Sequence, residues 1–228
     1  MKPIAVITHV DRAVIGLIDS VAEERGQTRR IVRPYCGERL PDLDEVGAVI
    51  VLGGPQSAYD DHPFLRAEER FLAEAVDADT PVLAICLGAQ VLTRALGGTA
   101  QPGETGLEAG IIEVAPTAAG MTELGGTFFS FHSDSMTPPE GAEVLAASDR
   151  YLQAWTAGSA LAIQFHPEMT LEGVGGLLQI EVPKLERYGA DVAAMHGDVE
   201  RYFAAGARDS HALLEYWLDR LASHRHLN

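Results

Sequence analysis

The stretch Pro81–Gly98, PVLAICLGAQVLTRALGG, constrains the fold more than any other part of the chain. Behind Pro81 lies an apolar run, Val82 to Ile85, of the kind that makes a fully buried strand of a parallel sheet. A helical pattern begins at once: Leu87, Val91, Leu92, Ala95 and Leu96 recur at three- and four-residue spacing, and Gly97-Gly98 stop it. Cys86 sits at the junction, with Gly88 two residues on. A strand turning directly into a helix around one nucleophile-capable residue raises that side chain at the carboxyl edge of the sheet, as a nucleophile elbow does. Free amide N–H groups and the helix dipole then face the sulfur and favour its anionic, reactive form. A lone cysteine in an apolar segment equally suits a small buried hydrophobe, so partners elsewhere in the chain must decide.

The flanking sequence repeats a strand–helix rhythm. Residues 3–8 read as a short apolar strand, and residues 13–25 carry Val14, Leu17, Ile18 and Val21 at helical spacing before Gly26. An edge strand is expected over 28–33 and a stronger one over 47–52. An acid-rich helix with Leu65, Glu68, Phe71, Leu72 and Ala75 is expected over 64–76. Alternation of this kind implies an α/β fold, a parallel sheet with helices on both faces. Beyond Gly98 the rhythm changes. Short strands near 110–114, 127–131, 143–147, 151–156 and 160–165, separated by Gly, Pro and Asp turns, predict antiparallel additions. From Leu171 onward the chain reads as helical, with breaks near Gly189 and Gly206.

Length and composition narrow the function. A chain of 228 residues suits one domain, 1–228, with the helical segment 171–228 packed on it. A net charge of −16 argues against a nucleic-acid surface, which needs basic patches. No apolar run approaches the ~20 residues of a membrane span, and MKPIAVITHVDR reads as a first strand rather than a leader, so a cytoplasmic protein is expected. Two cysteines, Cys36 and Cys86, make neither a disulfide framework nor a metal spacing; both are expected as reduced thiols, with no metal site.

Two further segments supply partners for Cys86. Gly53-Gly54-Pro55 follows the 47–52 strand, and a glycine pair there lets backbone N–H groups approach a ligand closely at the sheet edge where α/β proteins bind ligands. The last expected strand runs straight into His166-Pro167-Glu168. Residues i and i+2 leaving a strand share a face, so Glu168 is placed to orient and charge-stabilise His166. Cys86, His166 and Glu168 then form a nucleophile, a base and an orienting acid.

With these residues in view, the chain resembles the class I (triad-type) glutamine amidotransferases. The resemblance rests on VLGGPQSAYDD at 51–61, PVLAICLGAQVLTRALGG at 81–98, AIQFHPE at 162–168 and FHSD at 131–134, and extends over nearly the whole chain. It implies a three-layer, flavodoxin-like open sheet, mainly parallel with antiparallel additions, similar to the glutaminase domain of GMP synthetase. It also implies hydrolysis of the side-chain amide of glutamine through a γ-glutamyl thioester on Cys86, without a cofactor. The oxyanion hole implied is the N–H of Leu87 with an N–H from Gly53-Gly54. Gln90 and the backbone of Phe131-His132 are the implied substrate contacts. Ala84 stands where the family usually has glycine, which predicts a more crowded turn before the cysteine.

Well-known members of this family are fused to, or paired with, a synthase that consumes the ammonia. No second domain or phosphate loop follows here, so the expected partner is an ammonia-accepting synthase on a separate chain, with a homo-oligomer as the other candidate assembly. Two alternatives stay open: a γ-glutamyl hydrolase or peptidase using the same triad on a larger γ-linked substrate, and a non-catalytic regulatory subunit.

Overall fold

The computed structural model describes residues 2–11 and 15–224, with side chains described as far as 221. In chain order the elements are β1 (Ile4–Ile7), α1 (Gly16–Glu24), β2 (Arg29–Val32), β3 (Ala48–Val51), α2 (Pro63–Asp77), β4 (Val82–Ile85) and α3 (Leu87–Ala95). There follow β5 (Thr99–Pro102), β6 (Glu108–Pro116), β7 (Gly126–His132), β8 (Asp134–Thr137), β9 (Glu143–Ala147), β10 (Leu152–Ala157) and β11 (Ala160–Ile163). The chain ends in α4 (Leu171–Arg187), α5 (Val192–Ala204) and α6 (Arg208–His224).

Among the described residues nine strands form one sheet in the order β2-β1-β3-β4-β11-β10-β9-β6-β7. The first five run parallel, and β10, β9, β6 and β7 continue the sheet antiparallel. The central strands IAVI, AVIV and VLAI are buried at every position, because helices cover both faces. Alternate residues feed two cores. Ile4, Val6, Ile50, Leu83 and Ile85 pack with α1 and α6, whereas Ala5, Ile7, Val49, Val51, Val82 and Ala84 pack with α2 and α3. A third cluster holds α4 and α5 against Leu107 and Phe129.

The expected α/β architecture is therefore observed, and the C-terminal breaks fall at Gly189 and Gly206, both with left-handed backbone (φ +71° and +91°). The expected helix position Val14 lies outside the described residues. The β5–β8 ladder has no counterpart in the sequence reading. Its strands, TAQP and DSMT, are short, polar and without a period-2 apolar face, so nothing in their composition announces them. β6 is also longer than the expected 110–114, since its pairing with β7 runs from Glu108↔His132 to Val114↔Gly126.

Candidate active site

Parallel strands β3 and β4 end side by side, so their carboxyl-end loops face one another. Cys86 continues the β4–β11 ladder, its N–H donating to the Ile163 carbonyl at 2.8 Å, while its own carbonyl accepts the first helical bond from Gln90 N–H at 3.0 Å. Bond partners on both sides force an abrupt change of direction at one residue. Cys86 takes φ 53°, ψ −112°, a sparsely populated conformation for a residue with a Cβ, costing about 1–3 kcal/mol. Gly88 makes the turn feasible: a Cβ there would lie 2.4 Å from the Val51 carbonyl oxygen, so only glycine lets the first turn of α3 pack on β3. As the first residue of α3, Leu87 has no intrahelical acceptor for its N–H.

His166 arrives from β11. Its N–H donates to the Phe129 carbonyl at 2.8 Å, and its ring Nδ1 lies 2.7 Å from Glu168 Oε1, as the i, i+2 spacing predicts. Both side chains are buried. Glu168 is itself anchored to α1, its carbonyl accepting the Leu17 N–H at 3.2 Å. Burial works against a charged imidazole, but the Glu168 carboxylate and the adjacent Cys86 sulfur outweigh it and raise the His166 pKa well above the ordinary histidine value. The Gly53 backbone closes the third side. A Cβ on it would lie 2.9 Å from His166 Cε1, 3.4 Å from Cys86 Cβ and 3.8 Å from Cys86 Sγ.

Gln90 is buried and donates through Nε2 to Gln164 Oε1 at 3.1 Å. The His132 side chain points into the protein, with Nδ1 2.8 Å from the Asp134 carbonyl and Nε2 3.0 Å from Glu108 Oε2. Ser148 (2.7 Å) and Gln153 (2.6 Å) also donate to Glu108. Burial opposes ionisation of Glu108, yet these donors, His132 first, lower its pKa below the ordinary carboxylate value. That network occupies both ring nitrogens of His132, so the residue offers a ligand its backbone rather than its imidazole.

Gly53, Gly54, Cys86, Leu87, Gln90, Phe131, His132, His166 and Glu168 all line one cavity of about 880 Å³. The sequence reading thus selected residues from four separate segments that meet at one place. It missed the far wall, formed by α4 with Gly173, Gly176, Leu177, Ile180 and Lys184; the glycines of LEGVGG were the available signal, since they thin the helix on one side. It also left Ser57 and Tyr59 without roles. Both donate to Asp134, Ser57 Oγ at 2.7 Å and Tyr59 OH at 3.2 Å, tying the loop after β3 to β8. Among the described residues no group of three or more His, Cys, Asp or Glu side chains is arranged to hold a metal ion, and no helix is long and apolar enough to cross a membrane.

A parallel-centred α/β sheet with a strand–cysteine–helix elbow and a His–Glu pair at its carboxyl edge has the layout of thiol-dependent amide hydrolases. The family model "Glutamine amidotransferase class-I" matches residues 10–177, and the chain belongs to that family. It is 35% identical over 190 residues to the glutamine amidotransferase-like protein YfeJ of Salmonella typhimurium, covering 76% of this chain and 78% of that one. It is 33% identical over 197 residues to the glutamine-hydrolysing GMP synthase of Trichormus variabilis. That match covers 78% of this chain but only 35% of the synthase. Among solved structures, a glutamine amidotransferase from Thermotoga maritima superposes with a TM-score of 0.85 at 26% identity, covering 96% of this chain and 97% of that one.

Proposed function

We propose that this chain hydrolyses the side-chain amide of glutamine, with Cys86 as nucleophile, His166 as acid and base, and Glu168 as orienter. The Cys86 thiolate, its proton held by His166, bonds to the amide carbon, and the oxyanion so formed accepts from the N–H groups of Leu87 and Gly54. The C–N bond then breaks as His166 delivers that proton to the departing nitrogen, releasing ammonia and leaving a γ-glutamyl thioester. Water adds to the thioester carbon and gives a proton to His166; the C–S bond breaks, the thiolate is restored beside protonated His166 and glutamate leaves. Gln90 and the Phe131-His132 backbone hold the substrate. The ammonia passes to a synthase, as the GMP synthase relatives suggest.

The observation that carries this reading is the convergence at Gly53: one methyl added there would touch both His166 and Cys86, with the His166–Glu168 pair 2.7 Å apart behind it. Glutamate and ammonia release from glutamine by the purified protein, alone and with candidate synthases, tests it. Absence of both, with no labelling of Cys86 by a glutamine-analogue electrophile, would refute it.

One observation favours a second substrate. The cavity, about 880 Å³, lies near the top of the ~300–1,000 Å³ range of small-molecule sites, and its α4 wall extends beyond the triad. A γ-glutamyl conjugate would use that space, with the conjugate's amine leaving in place of ammonia. Specificity constants across glutamine and a panel of γ-glutamyl amides decide between the two, since a glutamine preference over every conjugate removes the second.

A further inference from the structure

Beneath the Gly53-Gly54 turn, and outside the cavity wall, two ionisable side chains are buried together. His9 lies just beyond the end of β1 and Glu68 on the packed face of α2; both side chains are fully inaccessible. His9 Nε2 is 2.8 Å from Glu68 Oε2, and His9 Nδ1 is 3.3 Å from the Gly53 carbonyl oxygen. The other carboxylate oxygen, Glu68 Oε1, is buried without a hydrogen-bond partner. The ring thus bridges the Glu68 carboxyl group and the Gly53 carbonyl. A buried pair of this kind is a weak source of stability, because desolvation offsets its attraction and one oxygen here gains nothing. What it does address is a single peptide group.

That peptide joins two residues without Cβ atoms and is among the least restrained a chain can have. There are no cis peptides among the described residues, so the Gly53 carbonyl and the Gly54 N–H point in opposite directions within their common plane. Gly53 and Gly54 line the cavity and His9 does not. With the carbonyl drawn toward His9, the Gly54 N–H is directed away from His9. The contact is close: a Cβ on Gly54 would lie 2.5 Å from His9 Cβ and 2.9 Å from Leu87 Cδ2.

We propose that His9, held by Glu68, is a positioning residue that pins the Gly53-Gly54 peptide with the Gly54 N–H aimed at the oxyanion. This rests on the amide-hydrolase reading above. The pin makes the donor a permanent feature of the free chain, independent of any synthase.

Two substitutions separate pinning from packing. The Asn side-chain nitrogen stands as many bonds from Cα as His Nδ1, and that of Gln as many as His Nε2. His9→Asn therefore keeps the donor to Gly53 and abandons Glu68; His9→Gln keeps Glu68 and abandons Gly53. The measurements are kcat and KM for glutamine, the melting temperature, and the Gly54 amide 1H–15N resonance in the unliganded protein. Pinning predicts a crossed pattern. His9→Gln loses about 10- to 100-fold in kcat, up to the value of one oxyanion donor, with KM and melting temperature nearly unchanged and the Gly54 resonance moved. His9→Asn melts several degrees lower yet keeps kcat within a few-fold and the Gly54 resonance in place. Unchanged kcat in His9→Gln, or losses in both variants that follow the melting temperature, overturns the inference. Should the wild-type protein turn over neither glutamine nor any γ-glutamyl amide, the amide-hydrolase reading fails, and the Gly54 resonance alone still decides whether His9 pins the peptide.

Discussion

Gly53→Ala separates chemistry from stability more sharply than any other single change. The added methyl would stand 2.9 Å from His166 Cε1, and ordinary contact begins near 3.4 Å, so the imidazole must retreat by about 0.5 Å. Its contacts with Cys86 Cβ and Sγ, at 3.4 and 3.8 Å, are already ordinary, so the strain falls on the base rather than on the nucleophile. A 1 Å misplacement of a catalytic group costs up to ~10²-fold, so half of that displacement predicts a roughly tenfold loss in kcat. Gly53 does not occupy the left-handed region, so the backbone accepts alanine and the fold should lose less than ~1 kcal/mol. Gly88→Ala is the control with the opposite balance, because its methyl meets a backbone carbonyl, Val51 O, at 2.4 Å; overpacking of that kind costs about 1–3 kcal/mol or more. Steady-state glutamate formation and urea unfolding of both variants provide the comparison. If Gly53→Ala keeps wild-type kcat, His166 is not confined against Gly53 and the proposed geometry is wrong.

Replacing Glu168 with Gln removes the carboxylate that raises the His166 pKa, so an NMR titration of the ring should show that pKa moving down, with kcat reduced ~10²-fold. Because His166 is raised in the folded state, its charge stabilises the protein fully below the ordinary pKa of 6.5, and that contribution disappears as pH rises through the folded value; thermal melts across this window should show the loss in wild type and a smaller one in Glu168→Gln. Glu108 has the opposite sign: its lowered pKa contributes stability above the ordinary value of 4.5 that is lost as pH falls through the folded value. Glu108→Gln should flatten the acid limb of the stability profile, and Glu108→Ala, removing the carboxylate that accepts from buried His132 and Gln153 and from half-buried Ser148, should cost about 3 kcal/mol in denaturant unfolding. Ala84→Gly should cost about 1–2 kcal/mol in the same assay and leave kcat unchanged, because the Ala84 methyl is buried in the α2–α3 core and does not line the cavity. A rise in kcat would mean that the methyl does crowd the elbow.

The legibility of this chain follows from how local each signal is. The elbow could be read from Pro81–Gly98 because a change of period from continuous apolar to three- and four-residue spacing, across a single residue, leaves little choice of backbone. The His166–Glu168 contact could be read because it spans two residues at a strand end. Gly53-Gly54, Cys86 and His166-Glu168 could be brought to one sheet edge by strand-end placement, but the roles of Leu87, Gln90 and Phe131-His132 came only through family resemblance, since pairings such as β4 with β11 join residues nearly eighty positions apart. The β5–β8 ladder lacks a strong local pattern, being polar and Pro-containing, and the α4 wall announces itself only through the glycines of LEGVGG, which do not say what the thinned side faces. His9 is the instructive omission. A histidine after an apolar strand looks like a surface turn residue, and Glu68, at helical spacing with Leu65 and Leu72, looks like an acid intruding on an apolar stripe. Each is anomalous alone, and they become intelligible as one feature once β1 and α2 are seen to meet under Gly53.

The central claim is that Cys86 carries the γ-glutamyl group. Acid-quenching the protein during glutamine turnover and mapping its peptides by mass spectrometry tests it directly. A γ-glutamyl adduct on the Cys86 peptide, absent from Cys86→Ala together with all glutamate release, is the predicted result. Glutamate release that persists in Cys86→Ala, or wild-type turnover with an adduct on any other residue, would contradict the account.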